Sequence, residues 1–399
     1  MSVDPARYVW RKILRLYWKM YGIVDALYTR CYFRLCPVKK NKVVFDNFSG
    51  KKYADTPKYI AEEIHRQGLN WDMVWLINNN QIEVPEYLRK VNIWSNRAKR
   101  ELATAKIVVN NTRNSLRMPK KNGQIFLQAW HGGLGYKLVE GDAESKLSPE
   151  YIRAAKRDGQ ECDAIISACG LQTEQFHRCF WLNKSTEILE VGQPQCDVLF
   201  NADQQAVERK VREILSIPKN KTIILYAPTF RDDGSTSAYA LDYERILCAY
   251  ERRFKQECVI VVRLHPNAQT LCTTIHYNDK VINGTNYSDI QELFIASDAV
   301  ISDYSNVSFQ FALLNKPAFL LALDYDEYLS MRGLLDVYDY CPFPKSKTNA
   351  ELIDNIEHFD FVDYFEQLDK YKKQVWKPFD DGHAAERTVA WLKEKVNQS

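Results

Sequence analysis

From residue 42 onward, short apolar runs alternate with longer stretches in which apolar residues recur every three or four positions. Continuous runs of four or five apolar residues read as strands buried on both faces, and the 3.6-residue repeats between them as helices covering those faces. Lys42–Phe45, Met73–Ile77, Ile107–Val109, Ile125–Gln128, Ala164–Ile166 and Ile188–Val191 form a first block of strands, with amphipathic stretches such as Pro57–Gln67 and Ala98–Ala105 between them. A polar, charged segment, Asn201–Lys221, interrupts the pattern. It restarts with Thr222–Tyr226, Val259–Val262, Val281–Ile282, Ala299–Ile301 and Ala318–Leu321. Such alternation implies parallel sheets, and two blocks predict two doubly wound α/β domains. Ligands of these sheets bind beyond the carboxyl ends of the strands, so the site is expected in a cleft between the domains.

The first 40 residues follow another pattern. At 100° per residue, Arg7, Arg11, Lys12, Arg15 and Lys19 share one arc of a helix, opposite an apolar face containing Trp10, Ile13, Tyr17, Met20 and Val24. A basic face backed by an aromatic-rich apolar face predicts an amphipathic helix lying in the plane of an anionic membrane surface. The alternatives are a helix packed on the body or on a second copy. Nine Lys and Arg stand here against Asp4 and Asp25, whereas the rest of the chain carries 45 basic and 49 acidic residues. The folded domains therefore lack the basic excess of a nucleic-acid groove. No apolar run approaches the ~18–20 residues needed to span a bilayer, and the early basic residues break any signal-peptide core. Ten cysteines without CxxC spacing suit reduced thiols, with neither disulfides nor zinc expected.

The candidate chemistry sits where strands end. Ile125–Gln128 runs into Ala129-Trp130-His131-Gly132-Gly133-Leu134-Gly135-Tyr136-Lys137. Glycines in such a turn can take positive φ and hold anions on free N–H groups, which places His131 for acid–base work at a phosphate. After Tyr226 come Thr229, Arg231, Asp232 and Asp233. Thr229 and Arg231 can donate to phosphate oxygens, or Arg231 can simply pair with a neighbouring aspartate. After Val262, Arg263 and His265 suggest a cationic pair at developing negative charge. Ser302-Asp303-Tyr304-Ser305-Asn306 leads into a helical run, Val307–Leu314, where Ser302 and Ser305 could serve an anion or merely cap the helix. Asp324-Tyr325-Asp326 is formally a DxD, too short a signal to predict a metal.

Together these segments resemble the CDP-glycerol:poly(glycerophosphate) glycerophosphotransferase family. The matching pieces, in order, are Phe48-Ser49-Gly50-Lys51, Trp130-His131-Gly132, Gly192-Gln193-Pro194, Ala227-Pro228-Thr229-Phe230-Arg231-Asp232-Asp233, Arg263-Leu264-His265, Ser302-Asp303-Tyr304-Ser305, Arg332-Gly333-Leu334 and Asp381-Gly382-His383-Ala384. The resemblance implies a GT-B-like pair of Rossmann-like domains, peripheral attachment to the cytoplasmic membrane face, self-association, and transfer without a metal or other cofactor. The implied organisation is a membrane segment at 1–40, an acceptor domain at 41–205, a CDP-donor domain at 206–375, and a C-terminal segment at 376–399 whose helix crosses back to the first domain. The family's two essential histidines fall on His131 and His265. Donor contacts are expected from Gly132, Gly133, Pro194, Thr229, Arg231, Asp232, Arg263, Ser302, Ser305 and Asn306. Gly133-Leu134 stands where the family commonly has Thr-Pro, and Gln310 where it has Asp.

The expected reaction moves a polyol phosphate from CDP-glycerol or CDP-ribitol to a hydroxyl of a lipid-linked saccharide or polyolphosphate chain. His131 would act as base, and His265 with Arg263 would offset charge. The alternatives are a nucleotide-sugar glycosyltransferase on the same architecture and a non-catalytic membrane-bound assembly protein.

Overall fold

The computed structural model describes residues 35–114, 118–231, 235–265, 268 and 275–398, together with Trp10, Tyr17, Met20, Val24, Leu27, Cys31 and Phe33. Two all-parallel sheets organise the chain. The first has seven strands in the order β3-β2-β1-β4-β5-β6-β7: β1 Lys39–Asp46, β2 Asp72–Ile77, β3 Arg89–Asn92, β4 Ala105–Asn110, β5 Ile125–Gln128, β6 Ala164–Ser167 and β7 Glu187–Glu190. The second has six in the order β10-β9-β8-β11-β12-β13: β8 Thr222–Tyr226, β9 Cys258–Val262, β10 Val281–Asn283, β11 Ala299–Ser302, β12 Ala318–Leu321 and β13 Lys345–Ser346. The chain runs outward in one direction and then returns past its first strand. Strand order therefore reverses between β1 and β4 and again between β8 and β11, which opens a crevice at each reversal.

Local sequence explains most of the elements. The central strands are fully buried (Val43, Val44 and Phe45 in β1; Ile223, Ile224 and Leu225 in β8), as continuous apolar runs require. Helices begin on side-chain caps: Ser148 before Pro149–Glu161, Asp242 before Tyr243–Phe254 and Thr348 before Asn349–Glu357 each accept a backbone N–H of the first turn. The polar segment read as an interruption contains a helix, Gln204–Ile214, capped by Asp203 and burying Val211 alone. One apolar anchor is too thin a stripe to show in the pattern. The edge strands β3 and β13 were also illegible, because β3 buries one residue in four and β13 is two residues long.

The last helix, Ala384–Asn397, leaves the second sheet and inserts Val389, Leu392 and Val396 into the first-domain core beside Val43 and Ile60. Asp197 holds its start, accepting the N–H groups of Ala384 (2.9 Å) and Ala385 (2.7 Å). This is a carboxylate at a helix N-terminus, supplied from elsewhere in the chain. At the other end, Trp10 and Tyr17 are helical and exposed. Arg7, Arg11, Arg15 and Lys19 lie outside the described residues. No helix among the described residues is long and apolar enough to cross a membrane.

Candidate active site in the interdomain cleft

The wall contributed by the first domain begins where β1 ends. Phe48 (φ 48°), Ser49 (φ 55°) and Gly50 (φ 74°) are three successive left-handed residues, closed by Gly50 and Lys51 N–H donating to the Asn47 carbonyl at 2.9 and 3.2 Å. Two of them pay the Cβ–carbonyl clash of that region, about 1–2 kcal/mol each. Gly50 has no substitute, since a Cβ there would lie 2.8 Å from the Asn78 nitrogen. The turn brings the Phe48 ring edge-on to His131, with centroids 5.6 Å apart. Asn111, just beyond β4, fixes both partners. Its side-chain oxygen accepts the Phe48 N–H at 2.8 Å, and its carbonyl lies 2.7 Å from His131 Nδ1.

That last contact sets the chemistry of His131. A carbonyl only accepts, so Nδ1 carries a proton and the neutral ring keeps its lone pair on Nε2. The ring is open to the cleft but protein surrounds it. Desolvation lowers its pKa, the Asn111 carbonyl works against that shift, and Lys137 adds to it. The result is a neutral imidazole with one free nitrogen, the state a general base requires.

The glycines after His131 behave differently from expectation. None of Gly132, Gly133 or Gly135 takes positive φ, whereas Trp130 does (φ 25°). The segment is a strap between the domains. Leu134 and Tyr136 are buried in the second-domain core; Tyr136 hydroxyl meets Ser308 Oγ at 2.7 Å, and its carbonyl accepts the Leu335 N–H at 2.6 Å. Gly133 makes room for a neighbour, because a Cβ there would lie 3.2 Å from Gln193 Oε1. That same oxygen accepts from Gln310 Nε2 at 2.7 Å. Both departures from the family pattern thus touch one side chain.

The second-domain wall corrects several assignments. Arg231 is not presented to a phosphate. It is 3% exposed and spends its guanidinium on Asp324 (Nε–Oδ2 2.6 Å, Nη2–Oδ1 2.9 Å), Asp303 (Nη2–Oδ2 2.8 Å) and the Thr229 carbonyl (2.6 Å). Its carboxylate partners among the described residues are distant in sequence. Thr229 donates its hydroxyl to Asp303 Oδ1 at 2.6 Å, and buried Ser302 donates to the Ala227 carbonyl at 2.7 Å. Pro194 is buried in a short 3₁₀ turn after the left-handed Gly192. Arg263 Nη1 donates to the carbonyls of Gly284, Thr285 and Tyr287. His265 stacks on Phe230 at 5.6 Å, and its pKa falls to about 4 through desolvation and then through Lys52, Lys137, His131 and Lys51. Its imidazole is therefore neutral near pH 7, and it would share positive charge with Arg263, as expected, only where an arriving anion raised its pKa again. Ser305 and Asn306 remain half-buried at the start of the helix Val307–Ala312, where Ser305 Oγ accepts the Val307 N–H at 3.3 Å. Asp232 lies outside the described residues.

Sequence reasoning missed the cations. Lys51, Lys52 and Lys137 line the cleft, and none forms an ion pair among the described residues. The signal was their adjacency to the two motifs: two follow the left-handed turn and one ends the strap. Asp55 was missed as well. It takes φ 62°, accepts the Thr56 N–H at 2.6 Å, and burial pushes its carboxyl up to about 7.

A cleft between two doubly wound domains, with a tautomer-fixed histidine beside lysines that form no ion pair among the described residues, has the build of a site for an anionic ligand. The chain belongs to the CDP-Glycerol:Poly(glycerophosphate) glycerophosphotransferase family, whose model matches residues 27–394. It is 32% identical over 346 residues to a teichoic acid poly(glycerol phosphate) polymerase of Staphylococcus epidermidis, covering 84% of this chain and 48% of the relative. It is 30% identical over 339 residues to the polymerase of the same description from Bacillus subtilis, covering 82% of this chain and 45% of the relative. The chain thus spans about half the length of these relatives. Among solved structures, the wall teichoic acid polymerase TagF superposes with a TM-score of 0.81 at 29% identity, covering 100% of this chain and 99% of the other. A histidine variant of TagF soaked with CDPG superposes with a TM-score of 0.80.

Proposed function

We propose that this chain transfers a polyol phosphate, glycerol phosphate first, from a CDP-polyol to a hydroxyl of a membrane-linked acceptor and releases CMP. The observation that carries the reading is the His131 Nδ1 contact with the Asn111 carbonyl, which leaves Nε2 unprotonated in a cleft lined by lysines that form no ion pair among the described residues. Family membership supports the reaction class, and the names of the two polymerase relatives support glycerol over ribitol. In this reading the second domain (206–375) takes the CDP moiety and the first (41–205) the acceptor. Gly132, Gly133, Ser305 and Asn306 lie along the diphosphate.

The acceptor oxygen attacks the β-phosphorus as His131 Nε2 takes its proton. The new O–P bond forms, the bond from phosphorus to the bridging oxygen breaks, and CMP departs with that oxygen. Lys51, Lys52 and Lys137 offset the charge that builds on the phosphoryl oxygens, so the reading assigns no step to a metal. His265 gains a proton as the anion arrives and then adds to that offset. The basic amphipathic segment at 1–40, with Trp10 and Tyr17 exposed, would hold the enzyme peripherally on an anionic membrane face.

The test is CMP release by the full chain with lipid-linked acceptor and CDP-glycerol, CDP-ribitol or UDP-glucose. Release from one CDP-polyol, reduced about 10²–10⁴-fold in His131→Ala with the fold intact, is the expected result. Turnover of UDP-glucose alone would make the chain a glycosyltransferase instead.

A further inference from the structure

We propose that Arg113 is a positioning residue that fixes the His131 ring by clamping both ends of the loop carrying it. The loop enters through Trp130 (φ 25°) and leaves through Glu140 (φ 52°), and neither residue favours left-handed backbone. Arg113 engages both. Its guanidinium lies 5.5 Å from the Trp130 ring centroid and 5.3 Å from that of Phe180, and Trp130 and Phe180 themselves meet edge-on at 4.8 Å. Its Nη2 pairs with Glu140 Oε2 at 2.7 Å, while Tyr151 donates to Glu140 Oε1 at 2.5 Å. The Arg113 and Glu140 side chains are 11% and 2% exposed, so this pair faces almost no solvent.

Arg113 also sits on the segment that orients the base. Two residues before it, the Asn111 carbonyl accepts from His131 Nδ1; one residue before it, the Thr112 carbonyl accepts from Gln128 Nε2 at 3.0 Å. Gln128 Oε1 in turn accepts the Trp130 N–H at 2.9 Å. The acceptor for His131 and the clamp on its loop thus belong to one stretch, Asn111–Arg113. The Trp130 indole, 4.8 Å from the imidazole, transmits the clamp to the ring. A planar guanidinium can stack on indole and pair with a carboxylate at once, which an ammonium cannot do equally well.

This inference rests on His131 being the base, so its test includes a readout independent of turnover. In the full chain, ¹⁵N NMR of His131 reports the tautomer directly. Wild type is expected to hold the Nδ1–H form. Arg113→Met is expected to show a mixture of tautomers and to lower kcat about 10²-fold, with KM for the CDP-polyol changed less than about threefold. Arg113→Lys restores part of kcat. Because Arg113→Met leaves Glu140 charged and buried, Arg113→Met with Glu140→Gln removes both charges at similar volume and is expected to be equally slow. A folded Arg113→Met or double variant with the wild-type tautomer and normal kcat would overturn the clamp, as would a loss confined to KM. A wild-type chain that releases no CMP would sink the proposed function, while the tautomer would still report on the clamp.

Discussion

The two crevices of this molecule come from the same topology and are built in opposite ways. At the second reversal, between β8 and β11, charge is sealed: Arg231, Asp303 and Asp324 are each nearly inaccessible at the side chain and satisfy one another. At the first reversal, between β1 and β4, the backbone is strained through Phe48 and Ser49, and Lys51 and Lys52 face the cleft with no ion pair among the described residues. Paired buried charge fixes shape but has nothing left to offer a ligand. Unpaired charge at a cleft costs folding energy and keeps its field for whatever arrives. In the proposed reading, proton transfer falls to the first crevice and the strap beside it, while the sealed charges of the second form a rigid floor beneath Ser305 and Asn306.

Breaking each side separates these roles, and the sealed side gives the largest effect. Arg231→Met leaves Asp303 and Asp324 adjacent and buried without their cation, at a cost of about 3–5 kcal/mol of stability. Denaturant melts of the full chain check it, and activity should fall only in step with the folded fraction. His131→Ala is the converse, with activity lost and the melt within about 0.5 kcal/mol of wild type, as for a surface substitution. If Arg231→Met stayed folded but lost donor binding, Arg231 itself would be a donor contact after all.

This division was only half legible in the chain. The sheets could be read because buried parallel strands must be apolar without interruption: Thr222–Tyr226 and Ala318–Leu321 coincide with the observed β8 and β12. His131 could be read because it follows such a run into glycines. The partner of Arg231 could not, since Asp324 is 93 positions away and nearer aspartates offered themselves. The left-handed turn was invisible at Phe48 and Ser49, which have no intrinsic preference for that backbone. The glycines after His131 invited a positive-φ turn, but none takes one, and Gly133 also leaves room for Gln193. Residue type reveals what a position permits; only packing decides which permitted use is taken.

Asp55 sharpens the comparison through pH. Its carboxyl is raised from 3.8 to about 7, mainly by desolvation, with Asp289 adding to the rise and the Thr56 N–H and Lys52 opposing it. A group whose folded pKa lies above its unfolded value contributes stability that is complete below the unfolded value and lost as pH rises through the folded one. Asp55→Asn keeps the shape, and Asn tolerates left-handed φ. It should melt several degrees above wild type at pH 8 and close to it at pH 5. An equal gain at both pH values would show that backbone relief, not charge, was responsible. His265 pulls the other way, since its depressed pKa withdraws stability as pH falls from the ordinary 6.5 toward about 4. Between about pH 4 and 6.5 the two slopes therefore oppose each other, and together they should leave wild-type stability nearly flat there.

The smallest effect joins the two walls. Gly133 lies on the strap from the first domain, Gln310 on the helix Val307–Ala312 of the second, and Gln193 touches both. Gly133→Ala puts a methyl 3.2 Å from Gln193 Oε1, so that amide must shift by a few tenths of an ångström, at the expense of its 2.7 Å bond from Gln310. The loss should be about 0.5–1.5 kcal/mol, the net worth of one hydrogen bond. Were the methyl harmful for another reason, Gly133→Ala and Gln310→Leu would add. If both act through Gln193, the bond can be lost only once. The double variant should then fall short of the sum by at least about 0.5 kcal/mol in denaturant melts. Simple additivity would mean that Gln193 does not couple the strap to the second domain, and that the absence of a side chain at position 133 serves the open cleft instead.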